Sequence, residues 1–144
     1  MRTQIETLAF TLERVIAAPV EQVFDAWLDP STPGKLWHGA DKLVFDPKVD
    51  GMFYVLLIRD GGRRIAHYGL FTRMDRPHTI QHTFVSPNTR GLESMVTLTF
   101  REKAGDTQLT LRHEGLPDDE AGRGHEKGWS YFLGLLEEHF AGTR

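Results

Sequence analysis

The sequence predicts an α+β fold in which a curved antiparallel sheet wraps one long C-terminal helix and leaves a hollow beneath it. Three observations predict this. A strand pattern and two helix patterns come first, an almost unbroken series of strand patterns follows, and one amphipathic stretch around Gly128-Trp129 closes the chain. Helices segregated from a run of hairpin-connected strands belong to the α+β class. At 144 residues the chain reads as a single domain, residues 1–144.

Each element has a local cause. Thr7 to Ile16 alternates, with Leu8, Phe10 and Leu12 on one side and Thr7, Ala9, Thr11 and Glu13 on the other, which is a half-buried strand. Ala18-Pro19 ends it, and Pro19 suits a helix start because its missing N–H would be unpaired there. Val20, Val23, Phe24, Trp27 and Leu28 then form one apolar stripe of helical spacing. Asp29-Pro30 stops this helix, since the residue before a proline is pushed out of helical geometry. Thr32-Pro33 starts a second, short helix running to about Trp37 and ending at Gly39.

Strands follow. Leu43 to Asp46 is short, and Pro47 and Asp50-Gly51 punctuate it. Met52 to Ile58 is apolar throughout, the pattern of a strand covered on both faces. Asp60-Gly61-Gly62 makes a hairpin loop before Ile65 to Met74, and Arg76-Pro77 turns the chain into Thr79 to Val85. After a longer loop at Ser86 to Gly91, Glu93 to Glu102 and Thr107 to Glu114 form a further pair, turned by Ala104-Gly105-Asp106. The last helix is expected to start near Asp118 as its cap. Its stripe is Trp129, Phe132, Leu133, Leu136 and Phe140, and its first half is weakened by Gly122, Gly124 and Gly128, each costing about 1 kcal/mol relative to alanine.

Composition excludes several functions. There is no cysteine, so disulfides, thiolate chemistry and Cys-rich zinc sites are ruled out. The formal charge is −3 and the basic residues are scattered, with Arg63-Arg64 the one adjacent pair, so no basic face for nucleic acid is visible. The first residues lack the apolar stretch of a secretory signal. The longest apolar run falls far short of the ~20 residues that span a bilayer. The expectation is a soluble, cytoplasmic protein with no membrane insertion.

An ordered set of residues carries a resemblance. Ala18-Pro19, the segment Glu21 to Trp27, Asp29-Pro30 and Leu36-Trp37 are followed by Gly51-Met52-Phe53, Gly69, Thr107 with Leu109, His113, and Gly128-Trp129 with Leu133 and Leu136. Together they resemble the Hsp90 ATPase activator homologue-like group of the START-related (SRPBCC) superfamily, over nearly the whole chain. The resemblance implies a helix-grip fold with a cavity between the last helix and the sheet. Its relatives include lipid carriers, polyketide cyclases and co-chaperone domains, so fold alone does not fix activity. The chain has Asp50-Gly51 where the group usually has Gly-Gly before the third strand, which makes that loop less pliable. The eukaryotic co-chaperone pairs such a domain with a separate N-terminal Hsp90-binding region; no counterpart is expected here, and an Hsp90 role is not carried over.

The chemistry-bearing residues are few. Strand parity puts His113 with Leu109 and Leu111, and His82 with Ile80 and Phe84, so both histidines face the hollow. There they serve either as hydrogen-bonding groups for a ligand or as satisfied core histidines. His113-Glu114 and His125-Glu126 do not have metal-ligand spacing. Ser94 and Ser130 lack a nucleophile motif and an evident base. The expected ligand contacts are Trp37, Phe53, Val55, His82, Phe84, Leu98, His113, Trp129 and Leu133. The expected ligand is a small apolar or aromatic molecule, with no cofactor or metal. The alternatives are a cyclase or aromatase-type enzyme using His82 or His113 as proton shuttle, and a chaperone- or stress-linked interaction module. The second face of the third strand, Tyr54, Leu56 and Ile58, suggests a homodimer burying that patch.

Overall fold

The computed structural model describes residues 6–29 and 40–141. Strand β1 (Thr7–Ile16) and helix α1 (Val20–Leu28) lead into β2 (Ala40–Phe45), β3 (Met52–Arg59), β4 (Arg63–Asp75), β5 (Thr79–Phe84), β6 (Ser94–Lys103) and β7 (Asp106–Pro117), and helix α2 (Glu120–Ala141) ends the chain. The seven strands form one sheet in the order β1-β7-β6-β5-β4-β3-β2, antiparallel at every pairing. The fold is the α+β helix-grip arrangement the sequence predicts, a curved sheet holding a long C-terminal helix. The short helix expected at Thr32 to Trp37 lies outside the described residues.

Curvature has a visible source. Pairing registers shift between Leu8 and Phe10, between Ala40 and Lys42, and between Phe71 and Arg73. Each such irregularity bends a strand and strengthens its twist. The concave face collects Phe53, Val55 and Leu57 of β3, Phe71 of β4, Ile80 of β5, Val96, Leu98 and Phe100 of β6, and Leu109 and Leu111 of β7, all buried. Helix α1 closes one side, with Phe24 edge-on to Phe100 (centroids 5.2 Å apart) and Trp27 stacked on Trp129 of α2 (5.9 Å).

Three sequence expectations need correction. The cap of α2 is Asp119, whose Oδ1 accepts the Gly122 N–H at 2.8 Å, while Asp118 pairs with Arg123 instead. The first half of α2 is helical from Glu120 despite its glycines. One of them is required, because a Cβ at Gly122 would stand 1.8 Å from the Pro117 carbonyl oxygen. The outer face of β3 is not covered throughout: Leu56 is buried, but Met52 and Ile58 are exposed.

The Asp50-Gly51 turn explains itself locally. A Cβ at Gly51 would lie 2.0 Å from the Asp46 carbonyl oxygen, so the second position must be glycine. Asp50 takes φ 68°, a left-handed conformation that aspartate tolerates better than most side chains.

A cavity under the first half of the C-terminal helix

Between the sheet and the N-terminal half of α2 lies a cavity of about 270 Å³. Its sheet wall is Phe53, Val55 and Leu57 of β3, His67 of β4 and Phe84 of β5. Its helix wall is Ala121, Gly124, His125, Gly128, Trp129 and Phe132, with Asn88 and the exposed Arg59 completing the lining. The helix residues recur at the three- and four-residue spacing of a single face. The cavity exists because that face is small: a Cβ built at Gly124 or Gly128 would meet nothing within 4 Å.

The volume lies just below the roughly 300 Å³ at which small-molecule pockets ordinarily begin. A cavity of half this size accepts benzene (about 150 Å³ in an engineered apolar case). The space therefore suits a molecule of one or two rings. Arg59 also lines a neighbouring depression with Lys127 and Tyr131, so the rim carries positive charge, and no carboxylate among the described residues lines the interior.

Two histidines are cavity groups. His67 is 7% exposed, and its Nδ1–H donates to the Val55 carbonyl at 3.2 Å. Burial pulls its pKa down to about 4, against a smaller upward pull from that bond. His125 donates its Nδ1–H to the Ala121 carbonyl at 2.9 Å, with the Gly122 carbonyl at 3.2 Å, and burial lowers its pKa as well. Both rings are neutral near pH 7 and flank Phe84, at centroid distances of 5.4 and 5.8 Å.

His113 has a different environment. Trp129 Nε1–H donates to its Nδ1 at 3.0 Å. Its proton therefore sits on Nε2, which donates to Ser94 Oγ at 2.8 Å, and that hydroxyl donates to the Phe84 carbonyl at 2.6 Å. Both ring nitrogens of His113 and the Ser94 hydroxyl are thus engaged, and burial drives the His113 pKa down to about 2. Ser94 thus does have a histidine partner, contrary to the sequence reading. The pair is still not a nucleophile and its base, because the nitrogen facing the hydroxyl is a donor.

His82 is fully buried and donates Nδ1–H to the Thr83 carbonyl at 2.8 Å, and burial lowers its pKa to about 4. Its ring lies flat against Phe53 (4.0 Å, 19°), so it backs the cavity wall without lining it.

Of the expected contacts, Phe53, Val55, Phe84 and Trp129 line the cavity together. Leu98, Leu133, His82 and His113 face inward but lie beneath the lining, each 0% exposed. Trp37 is outside the described residues. Arg59, His67, Asn88 and His125 are lining groups that the sequence reading did not select. His67 was within reach of parity, since Ile65 and Phe71 share its face and Val55 is its cross-strand partner. His125 lies one helical turn before Trp129.

Comparison with known proteins agrees with this architecture. The profile of the family described as Activator of Hsp90 ATPase homolog 1-like protein matches residues 17–141. The chain belongs to that family. Among solved structures it is similar to protein CV1439 from Chromobacterium violaceum, at 24% identity and TM-score 0.80 over 92% of this chain and 96% of that one. It is similar also to Mll3558 from Rhizobium loti, at 21% identity and TM-score 0.81 over 95% and 99%. A third similar structure is Ms6760 from Mycobacterium smegmatis, at 24% identity and TM-score 0.75 over 94% of each chain. At these identities the likeness is one of fold. No functionally curated protein matches the sequence. No described helix is long and apolar enough to cross a membrane.

Proposed function

We propose that this member of the Hsp90 ATPase activator homologue-like family is a cytoplasmic binding protein for a small apolar or aromatic molecule held beneath α2. The observation that carries the reading is the pair Gly124 and Gly128. One turn apart on a helix otherwise packed by Trp129, Phe132 and Leu133, they leave open space where side chains would close the core. The aromatic lining of Phe53, Phe84, Trp129 and Phe132 suits a flat ring. His82 and His113, the proton-shuttle candidates of an enzymatic reading, do not reach the cavity.

A thermal-shift screen of one- and two-ring aromatics tests this. A ligand at a hundredfold excess over its Kd stabilises the fold by about 2.7 kcal/mol. Gly128→Phe, which fills the space, is expected to abolish that shift while the protein stays folded. Absence of any shift across a broad panel would remove the proposal.

A second surface favours self-association. Val44, Met52, Ile58, Tyr68 and Leu70 are 37–50% exposed on the outer side of β2, β3 and β4. We read this patch as a homodimer contact, with Leu56, at 8% exposure, contributing little. A monomer by light scattering at high micromolar concentration would refute it.

A further inference from the structure

Resting on the binding reading above, we infer that the ligand is a hydrogen-bond donor: an aromatic molecule bearing an O–H or N–H group, received by Nε2 of His67 or His125. The argument is one of tautomers. A backbone carbonyl only accepts, so the contacts of His67 Nδ1 with Val55 and of His125 Nδ1 with Ala121 place the ring proton on Nδ1 in both. A neutral imidazole protonated at Nδ1 carries a lone pair on Nε2. No described residue donates to either Nε2.

Other histidines sharpen the point. The fold engages both nitrogens of His113, with Trp129 on one side and Ser94 on the other. His82 also keeps an unpartnered Nε2, but it is sealed off from the cavity. Among the described residues, only His67 and His125, one on the sheet wall and one on the helix wall, are lining rings that keep an acceptor. Burial keeps both neutral near pH 7, so the acceptors persist under ordinary conditions. Most of the lining side chains around them are aromatic or aliphatic, and Asn88 is the other described lining side chain that carries an acceptor. Polar sites of this kind discriminate more strongly than apolar ones, because an analogue lacking the group leaves a buried atom unpaired.

The test compares 2-naphthol with naphthalene, which has the same rings and no O–H, by fluorescence titration. The unmutated protein is expected to bind 2-naphthol about five- to tenfold more tightly, the net effect of one hydrogen bond. In a His67→Phe, His125→Phe variant the preference is expected to vanish, and a preference for 2-naphthol that survives there overturns the inference. Equal or tighter binding of naphthalene to the unmutated protein overturns the inference and leaves the binding reading standing. Binding of neither probe overturns the inference, while the binding reading stands or falls with the broad panel. If the double variant fails to fold, the two probes on the unmutated protein decide the matter alone.

Discussion

The two halves of α2 rest on the same sheet and do opposite things. From Leu133 onward the helix is a solid fit: Leu133 and Leu136 are fully buried, Phe140 is nearly so, and Arg14 of β1 holds Glu137 at 3.2 Å. Before Trp129 the inward positions are Ala121, Gly124, His125 and Gly128, and the interior is hollow. One helix thus supplies an anchor and a roof. Glycines that lower helix propensity are tolerated because the anchored half and the Asp119 cap hold the segment in place.

Three experiments break or sharpen this contrast. Acidification is expected to have the largest effect, and at the hollow end. Burial holds His67 and His82 near 4 and His113 near 2, against about 6.5 for the unfolded chain. The unfolded state therefore binds protons first, so stability is full above about pH 6.5. It falls as pH drops towards 4, and His113 extends the loss towards 2. The loss is on the order of 1 kcal/mol per histidine per pH unit, several kcal/mol in all by pH 5. Urea midpoints unchanged between pH 7.5 and 5 would contradict it. Next, Leu133→Ala at the solid end is expected to cost ~2–5 kcal/mol in denaturant unfolding, the usual range for a fully buried leucine. A cost well below 1 kcal/mol would show that this end is not close-packed. The smallest effect is expected of Gly128→Ala, which meets no neighbour and should raise stability by about 1 kcal/mol while narrowing the cavity. A loss of stability there would mean that the roof is strained.

Much of the fold was legible in the sequence because hairpin strands announce themselves locally. Alternation placed Phe53, Val55, Phe84, Leu98 and Leu109 inward, and helical phase placed the stripe of α2. Parity gives a side but not a depth. Leu98, Leu133, His82 and His113 face the right way yet sit below the lining, because where the hollow falls along a strand depends on sheet curvature and on where α2 crosses it. The polar lining escaped for a related reason: His67 and His125 matter only once β4 and α2 are brought together. The glycines were read as weak helix, when their missing side chains are the cavity. Asp118 and Asp119 are chemically equal as caps, and the helix begins at Glu120, which puts Asp119 in the capping position.

The chain of bonds from Trp129 through His113 and Ser94 to Phe84 moors the middle of α2 to three adjacent strands, β7, β6 and β5. Lifting the helix bodily would cut that mooring. Under the proposed function, a ligand would therefore enter beside the first turns of that helix, where Gly124 and Arg59 are exposed. A guest too broad for that threshold would then be turned away however well it suited the room inside.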